Sequence, residues 1–249
     1  MITYHIISVF PEAFASYLDS SILARAIRGK LIAVKIYNLR DFTTDKHRKI
    51  DDRPYGGGPG MVIHAMPIIK AVEKIKEEIS IRERYKYQES AERGRGKVKS
   101  KKGGKTKVIL FSAQGKRFTN EIARKVSKYN DVILICGHYE GIDARVTKIL
   151  SAQGGSASSG KAEEVSIGPY ILTGGELPAM ILIDSISRQV TGVLGKHESL
   201  EEGRIASPKV YTRPEVLEYK GKKYRVPKVM LSGDHKKIEE YKRMLKSKG

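Results

Sequence analysis

KVILFSAQGKRFTNEIARKVSKYNDVILICGHYEGID, residues 107–143, sets the fold class. KVILFS (107–112) and DVILICG (131–137) are apolar runs of strand length, rich in Val and Ile. NEIARKVSKY (120–129) between them reads as a helix. Strand, helix and strand in under forty residues predict an α/β chain with a mainly parallel sheet.

The same alternation extends outward in both directions. YHIISVF (4–10) reads as a buried strand ended by Pro11. Residues 14–30 read as a helix, with Phe14, Tyr17, Leu18, Ile22 and Ala26 near helical spacing and Gly29 as its stop. LIAVKIYNL (31–39) is a second strand, residues 40–60 a polar, glycine-rich loop, and residues 62–79 a helix. Downstream, 144–150 is a short helix, 152–163 a flexible Gly/Ser loop, 166–172 a strand and 179–190 a helix. The texture changes after Leu194. Residues 1–195 are expected to form the main domain, with a basic flexible insert at about 82–107. Residues 196–209 read as a linker, and 210–249 as a small helical tail domain whose last helix puts Ile238, Tyr241 and Leu245 on one face.

Composition narrows the function. The 249 residues carry a formal net charge of +19, which points to a polyanionic partner, nucleic acid first. The basic residues Arg93, Arg95, Lys97, Lys99, Lys101, Lys102, Lys105 and Lys107 run without an intervening acid and are interrupted by glycines. Such a segment cannot bury a core. It is either a phosphate-binding arm or a solvated loop. Cys136 is the only cysteine, so neither an intramolecular disulfide nor a cysteine-based zinc cluster is possible. The opening MITYHIISVFPEAF has no basic n-region or small-residue cleavage site, and no run is long enough to span a membrane. A reducing, cytoplasmic setting is expected.

Three glycine-bearing loops each follow a predicted strand: SAQG (112–115), GHYEGID (137–143) and TGGELPAM (173–180). In open α/β sheets ligands bind outside the carboxyl ends of the strands, and small residues let backbone groups approach them closely. A nucleotide-like pocket is the expectation, against a reading as ordinary turns. The phosphate-loop and dinucleotide fingerprints are absent, as are an H-x-x-x-H pair and a G-x-S-x-G elbow. RPYGGGPGM (53–61) concentrates still more bare backbone, either to meet a ligand or to make a tight turn into the following helix.

DDRPYGGGPGM (51–61), GHYEGID (137–143), SIGPYILTGGELPAM (166–180), DSISRQVTGVLG (184–195), YTRPEVLE (211–218) and VPKVMLSGDH (226–235) together resemble the bacterial tRNA (guanine-N1)-methyltransferases, over about residues 1–80 and 107–245. The resemblance implies methyl transfer from S-adenosylmethionine to N1 of the guanosine at position 37 of tRNA. It also implies a SPOUT-type domain with a deep trefoil knot, and a homodimer with each active site at the subunit interface. Carried over by motif, Ser112, Gln114, Gly137, Glu140, Ser166, Ile167, Gly168, Pro169, Tyr170, Ile171, Leu172, Gly174 and Gly175 are the expected cofactor contacts. Gly57, Gly58, Pro59 and Gly60 would meet the target base, and the tail domain would grip the anticodon stem. No metal is implied.

Arg188 matches the family arginine that stabilises charge on guanine O6. The family aspartate that serves as base falls, without gaps, on Gly203, so Glu202 is the candidate base, with Glu201 one residue away. Pro169 stands where the family has aspartate, Ala113 where it has proline, and the tail is short. These departures keep a second reading open, a catalytically impaired tRNA-binding homologue. A SPOUT enzyme acting on rRNA or another tRNA site is opposed by PYGGGPGM and YTRPEVLE.

Overall fold

The structure, a computed structural model, describes residues 1–92, 104–152, 162–194 and 209–247. The chain divides into two compact units, Met1–Val193 and Leu194–Gly249.

The first unit is built on a five-stranded sheet. Its strands are β1 (Ile2–Ser8), β2 (Ile32–Asn38), β5 (Thr106–Arg117), β6 (Asp131–Ile135) and β7 (Ala162–Ser166), in spatial order β2-β1-β6-β5-β7. Every pairing within it is parallel. Alternate side chains along a strand point to opposite faces, so each central strand feeds two cores. Tyr4, Ile6, Val132 and Leu134 pack on one face, with α2 (Ser21–Arg28), α4 (Asn120–Val126) and α6 (Glu176–Ser187). Ile7, Ile133, Ile135 and Val108 pack on the other, with α3 (Ala65–Glu92) and α5 (Arg145–Ala152). Each fully buried isoleucine contributes about 1.5–3 kcal/mol, and near-continuous apolar runs in β1 and β6 are what a sheet covered on both faces requires.

Several elements differ from the sequence reading. The first helical region is broken: α1 (Ala15–Leu18) stops before Asp19, Ser20 N-caps α2, and Ser21 takes a left-handed φ of 49°. A minimal antiparallel pair, β3 (Asp51–Asp52) with β4 (Val62–Ile63), closes the glycine loop and removes the first residues of the predicted helix at 62–79. α3 then runs on to Glu92, through the start of the expected insert. Its buried positions end at Ile79, so the sequence period fades there while the backbone stays helical. The basic residues Arg93 to Lys102 and most of the Gly/Ser loop lie outside the described residues, as does all of the expected linker but Lys209, Glu201, Glu202 and Gly203 included. The predicted strand at 166–172 is instead the end of β7 followed by bends.

The second unit holds an antiparallel hairpin, β8 (Val216–Tyr219) with β9 (Lys222–Arg225), then α7 (Lys228–Leu231) and α8 (His235–Ser247). Ile238, Tyr241 and Leu245 are the half-covered side of α8, as its spacing predicts. The hairpin is an addition to the helical tail read from the sequence.

Candidate active site

The three glycine loops converge at the carboxyl ends of β5, β6 and β7. SAQG does not follow a finished strand. It is a four-residue bulge: Phe111 and Lys116 both pair with Val165, and residues 112–115 loop out between them. Gly137 to Asp143 leave the end of β6. Gly168 to Gly175 leave β7 and run into α6.

Backbone bonds knit these loops together. The Gly175 N–H donates to Gly137 O at 2.8 Å, and His138 and Gly174 form an isolated bridge. At Gly175 no side chain is possible. A Cβ there would lie 2.6 Å from Cys136 Cα and 2.9 Å from Gly137 N, both backbone atoms. The Ser166 hydroxyl braces the next turn, donating to Gly168 O at 3.0 Å and accepting from Gly168 N at 3.3 Å.

These loops enclose a cavity of about 350 Å³, within the range of small-molecule sites. Ser112, Gly137, Glu140, Ser166, Ile167, Gly168, Tyr170, Ile171, Leu172, Gly174 and Gly175 line it. Gln114 and Pro169 are exposed and are not part of the wall. The wall also includes His138, Ile142, Ala144, Thr147 and Glu164, which the sequence reading did not single out. The i,i+3 spacing of Ala144 and Thr147 at the start of α5 was the available signal. Thr147 Oγ1 donates to Glu164 Oε1 at 2.9 Å, joining α5 to β7.

The first turn of α6 carries Glu176, whose Oε1 accepts from Ser8 Oγ at 2.7 Å. Burial and the Glu176 charge push the Cys136 thiol well above its usual range, so it stays protonated. Where the loop after β6 enters α5, Arg145 hydrogen-bonds Asp143 and holds its carboxyl down at about 2.

The glycine loop at 53–61 abuts this site. Gly56, Gly57, Gly58 and Gly60 all take positive φ, between 81° and 110°, where a side chain is strained. The Glu140 N–H donates to Met61 O, and the Ile63 N–H to Gly141 O. A Cβ on Gly60 would lie 2.5 Å from Glu140 Oε1. Gly57, Gly58, Pro59 and Gly60 are exposed beside the cavity wall that Glu140 forms. A second cavity of about 470 Å³ lies across the Asp143–Arg145 segment and contains none of the predicted site residues.

Arg188 is elsewhere. It caps the carboxyl end of α6, half-buried, with its N–H bonded to Asp184 O. The helix starts at the cavity with Gly175, thirteen residues earlier, so at 1.5 Å per residue roughly 20 Å separates the two ends. The structure thus brings together the expected cofactor and base-contact loops, and leaves Arg188 at the far end of α6 from them.

Among the described residues there is no cluster of three candidate metal ligands, and no helix is long and apolar enough to cross a membrane.

Residues 2–248 match the family described as tRNA (Guanine-1)-methyltransferase TrmD. Proteins named tRNA (guanine-N(1)-)-methyltransferase resemble the chain along nearly its whole length. The one from Clostridioides difficile is 41% identical over 96% of this chain and 90% of its own. That from Dictyoglomus turgidum is 42% identical over 98% and 84%, and that from Vibrio vulnificus 39% over 95% and 82%. With a match of this extent, the chain belongs to the tRNA (guanine-1)-methyltransferase family.

Proposed function

We propose that this protein methylates N1 of the guanosine at position 37 of tRNA, using S-adenosylmethionine held in the three-loop cavity, in the cytoplasm. The observation that carries the reading is the convergence of those glycine-bearing loops on a nucleoside-sized cavity, in a chain of this family. The absence of any room for a Cβ at Gly175 supports the same fit, because it keeps two loops close enough to offer main-chain N–H and C=O groups to an adenine edge. Held there, S-adenosylmethionine supplies an electrophilic methyl group.

The remaining chemistry belongs to side chains. Guanine N1 carries a proton, and its loss places negative charge largely on O6. The site therefore requires a base at N1 and a cation at O6. Arg188 is the proposed cation and Glu202 the proposed base. Gly57 to Gly60 would present backbone to the base edge beside Glu140.

The distance of Arg188 from its own cavity bears on assembly. Leu177, Ile181, Asp184 and Arg188 follow helical spacing along one side of α6, and Leu177 and Ile181 are exposed there. An apolar stripe ending at the proposed O6 cation supports a homodimer in which each Arg188 serves the other protomer's cavity. A trefoil knot, with the 168–175 segment tucked against Cys136 and Gly137, is part of the same proposal, and so is a tail domain that grips the anticodon stem.

The test is transfer of a labelled methyl group to tRNA transcripts with guanosine or adenosine at position 37. Label is expected only in the first. Equal labelling of both, or none, overturns the reading. Glu202→Gln in single-turnover transfer across pH tests the base separately; an unchanged profile removes Glu202 from the mechanism.

A further inference from the structure

The β8–β9 hairpin of the second unit has two chemically different faces. Its register pairs Val216 with Arg225, Leu217 with Tyr224, Glu218 with Lys223 and Tyr219 with Lys222. Side chains alternate along each strand, so Leu217, Tyr219, Lys222 and Tyr224 share one face and Val216, Glu218, Lys223 and Arg225 the other. The second face satisfies itself: Lys223 Nζ lies 2.9 Å from Glu218 Oε1. The first does not. Leu217 is 56% exposed, Tyr219 59% and Tyr224 54%.

Lys220 and Gly221 make the two-residue turn, both at positive φ, as the twist of a tight hairpin demands. Lys220 Nζ sits 5.5 Å from the Tyr219 ring centroid. Four basic residues (Lys220, Lys222, Lys223, Arg225) stand against one acid (Glu218), so the ten residues carry +3. A solvated two-stranded ribbon is marginal by itself, and contiguous exposed apolar surface marks a contact. The charge selects the partner. Two copies of so basic a ribbon repel each other, whereas a polyanion is attracted. Flat rings flanked by lysines suit bases stacked on the rings with their phosphates on the ammonium groups.

We propose that the Leu217–Tyr219–Lys222–Tyr224 face of the β8–β9 hairpin is a stacking platform for unpaired RNA nucleotides. This deepens the proposed function and rests on it only for RNA as the partner.

The test uses the full chain and two double variants that leave net charge unchanged, Tyr219→Ala/Tyr224→Ala and Glu218→Gln/Lys223→Gln. Binding is measured to a tRNA transcript, a single-stranded oligouridylate and an RNA duplex. The tyrosine variant should weaken the first two about 10- to 100-fold and leave duplex binding and the salt slope in place. The control variant should change affinity less than about twofold. Tyr219→Phe/Tyr224→Phe should retain binding, because the ring and not the hydroxyl does the stacking. The wild-type chain has no tryptophan, so Tyr224→Trp gives a single indole whose fluorescence oligouridylate should quench.

Unchanged affinity in the tyrosine variant, an equal loss on duplex, or an altered oligomeric state in sedimentation would each overturn the proposal. Methyl transfer by the wild-type chain keeps the two readings separate. A chain that methylates tRNA while the tyrosine variant binds normally refutes the platform alone. One that shows tyrosine-dependent RNA binding but no transfer refutes the methyltransferase alone.

Discussion

Trans-complementation between two inactive variants tests the placement of Arg188 directly. Gly175→Ala puts a methyl 2.6 Å from Cys136 Cα, and neither backbone can step aside without opening the cavity. Overpacking of this kind costs about 1–3 kcal/mol, so donor affinity should fall roughly 5- to 150-fold. Arg188→Ala removes one charge-stabilising donor, for which a loss of about 10²–10³ in turnover is expected. The two lesions sit at opposite ends of α6, roughly 20 Å apart. If each cavity is served by the second protomer's arginine, a mixed dimer has one site carrying both lesions and one carrying neither. Random exchange of equal amounts makes half the dimers mixed, restoring about one quarter of wild-type sites. Equimolar variants would be co-refolded or co-expressed and assayed for methyl transfer at a donor concentration well below the wild-type Kd, where the weakened Gly175→Ala sites stay mostly empty. Activity no greater than the average of the two variants alone would refute the trans arrangement, since a cis arginine leaves every mixed site with one defect.

Gly60→Ala should cost about 1–2 kcal/mol of backbone strain at its φ of 87° and displace the Glu140 carboxylate; the check is a drop in transfer rate with the Gly175–Gly137 hydrogen bond still protected in hydrogen exchange. The buried Asp131 accepts from His5 Nε2 at 2.8 Å and Arg82 Nη2 at 2.6 Å. Burial alone would raise its pKa, but those two hydrogen bonds outweigh it and leave it below the ordinary aspartate value. A depressed carboxylate stabilises the fold above its unfolded pKa of about 4, and that contribution fades as pH falls through the folded value. Melting temperature should therefore drop more steeply below about pH 4 in wild type than in Asp131→Asn, which should itself lose about 3–5 kcal/mol near neutrality by stranding Arg82. Deleting residues 93–103 should weaken tRNA binding and flatten its salt dependence, by roughly 0.9 in log–log slope for each phosphate the shortened chain no longer neutralises; unchanged affinity and slope would make the segment a solvated loop.

How much of this was legible beforehand depended on whether the signal was local. β1 and β6 declared themselves because both their faces are buried, so apolar residues run on with little interruption. The loop residues declared themselves through glycine, since Gly137 and Gly175 meet as bare backbone and a turn with that requirement has few sequence solutions. The bulge at 112–115 was hidden, because its cause is pairing with Val165, fifty residues away. The C-terminal half of α3 was hidden for a different reason. Among the described residues it has no buried apolar side chain beyond Ile79, and a helix half rich in Arg, Lys and Glu has the composition of a loop. Arg188 shows the limit most clearly. Its type and motif assign it a role at the reacting base, yet only the length of α6 separates it from the cavity of its own chain, which is why its service to a second copy is a proposal to be tested. A motif records which residues a reaction needs and is silent on which copy of the chain supplies them. Here the exposed Leu177 and Ile181, on the path from the cavity to Arg188, are the observation that supports the proposed second copy, because an apolar stripe in water calls for a surface to cover it.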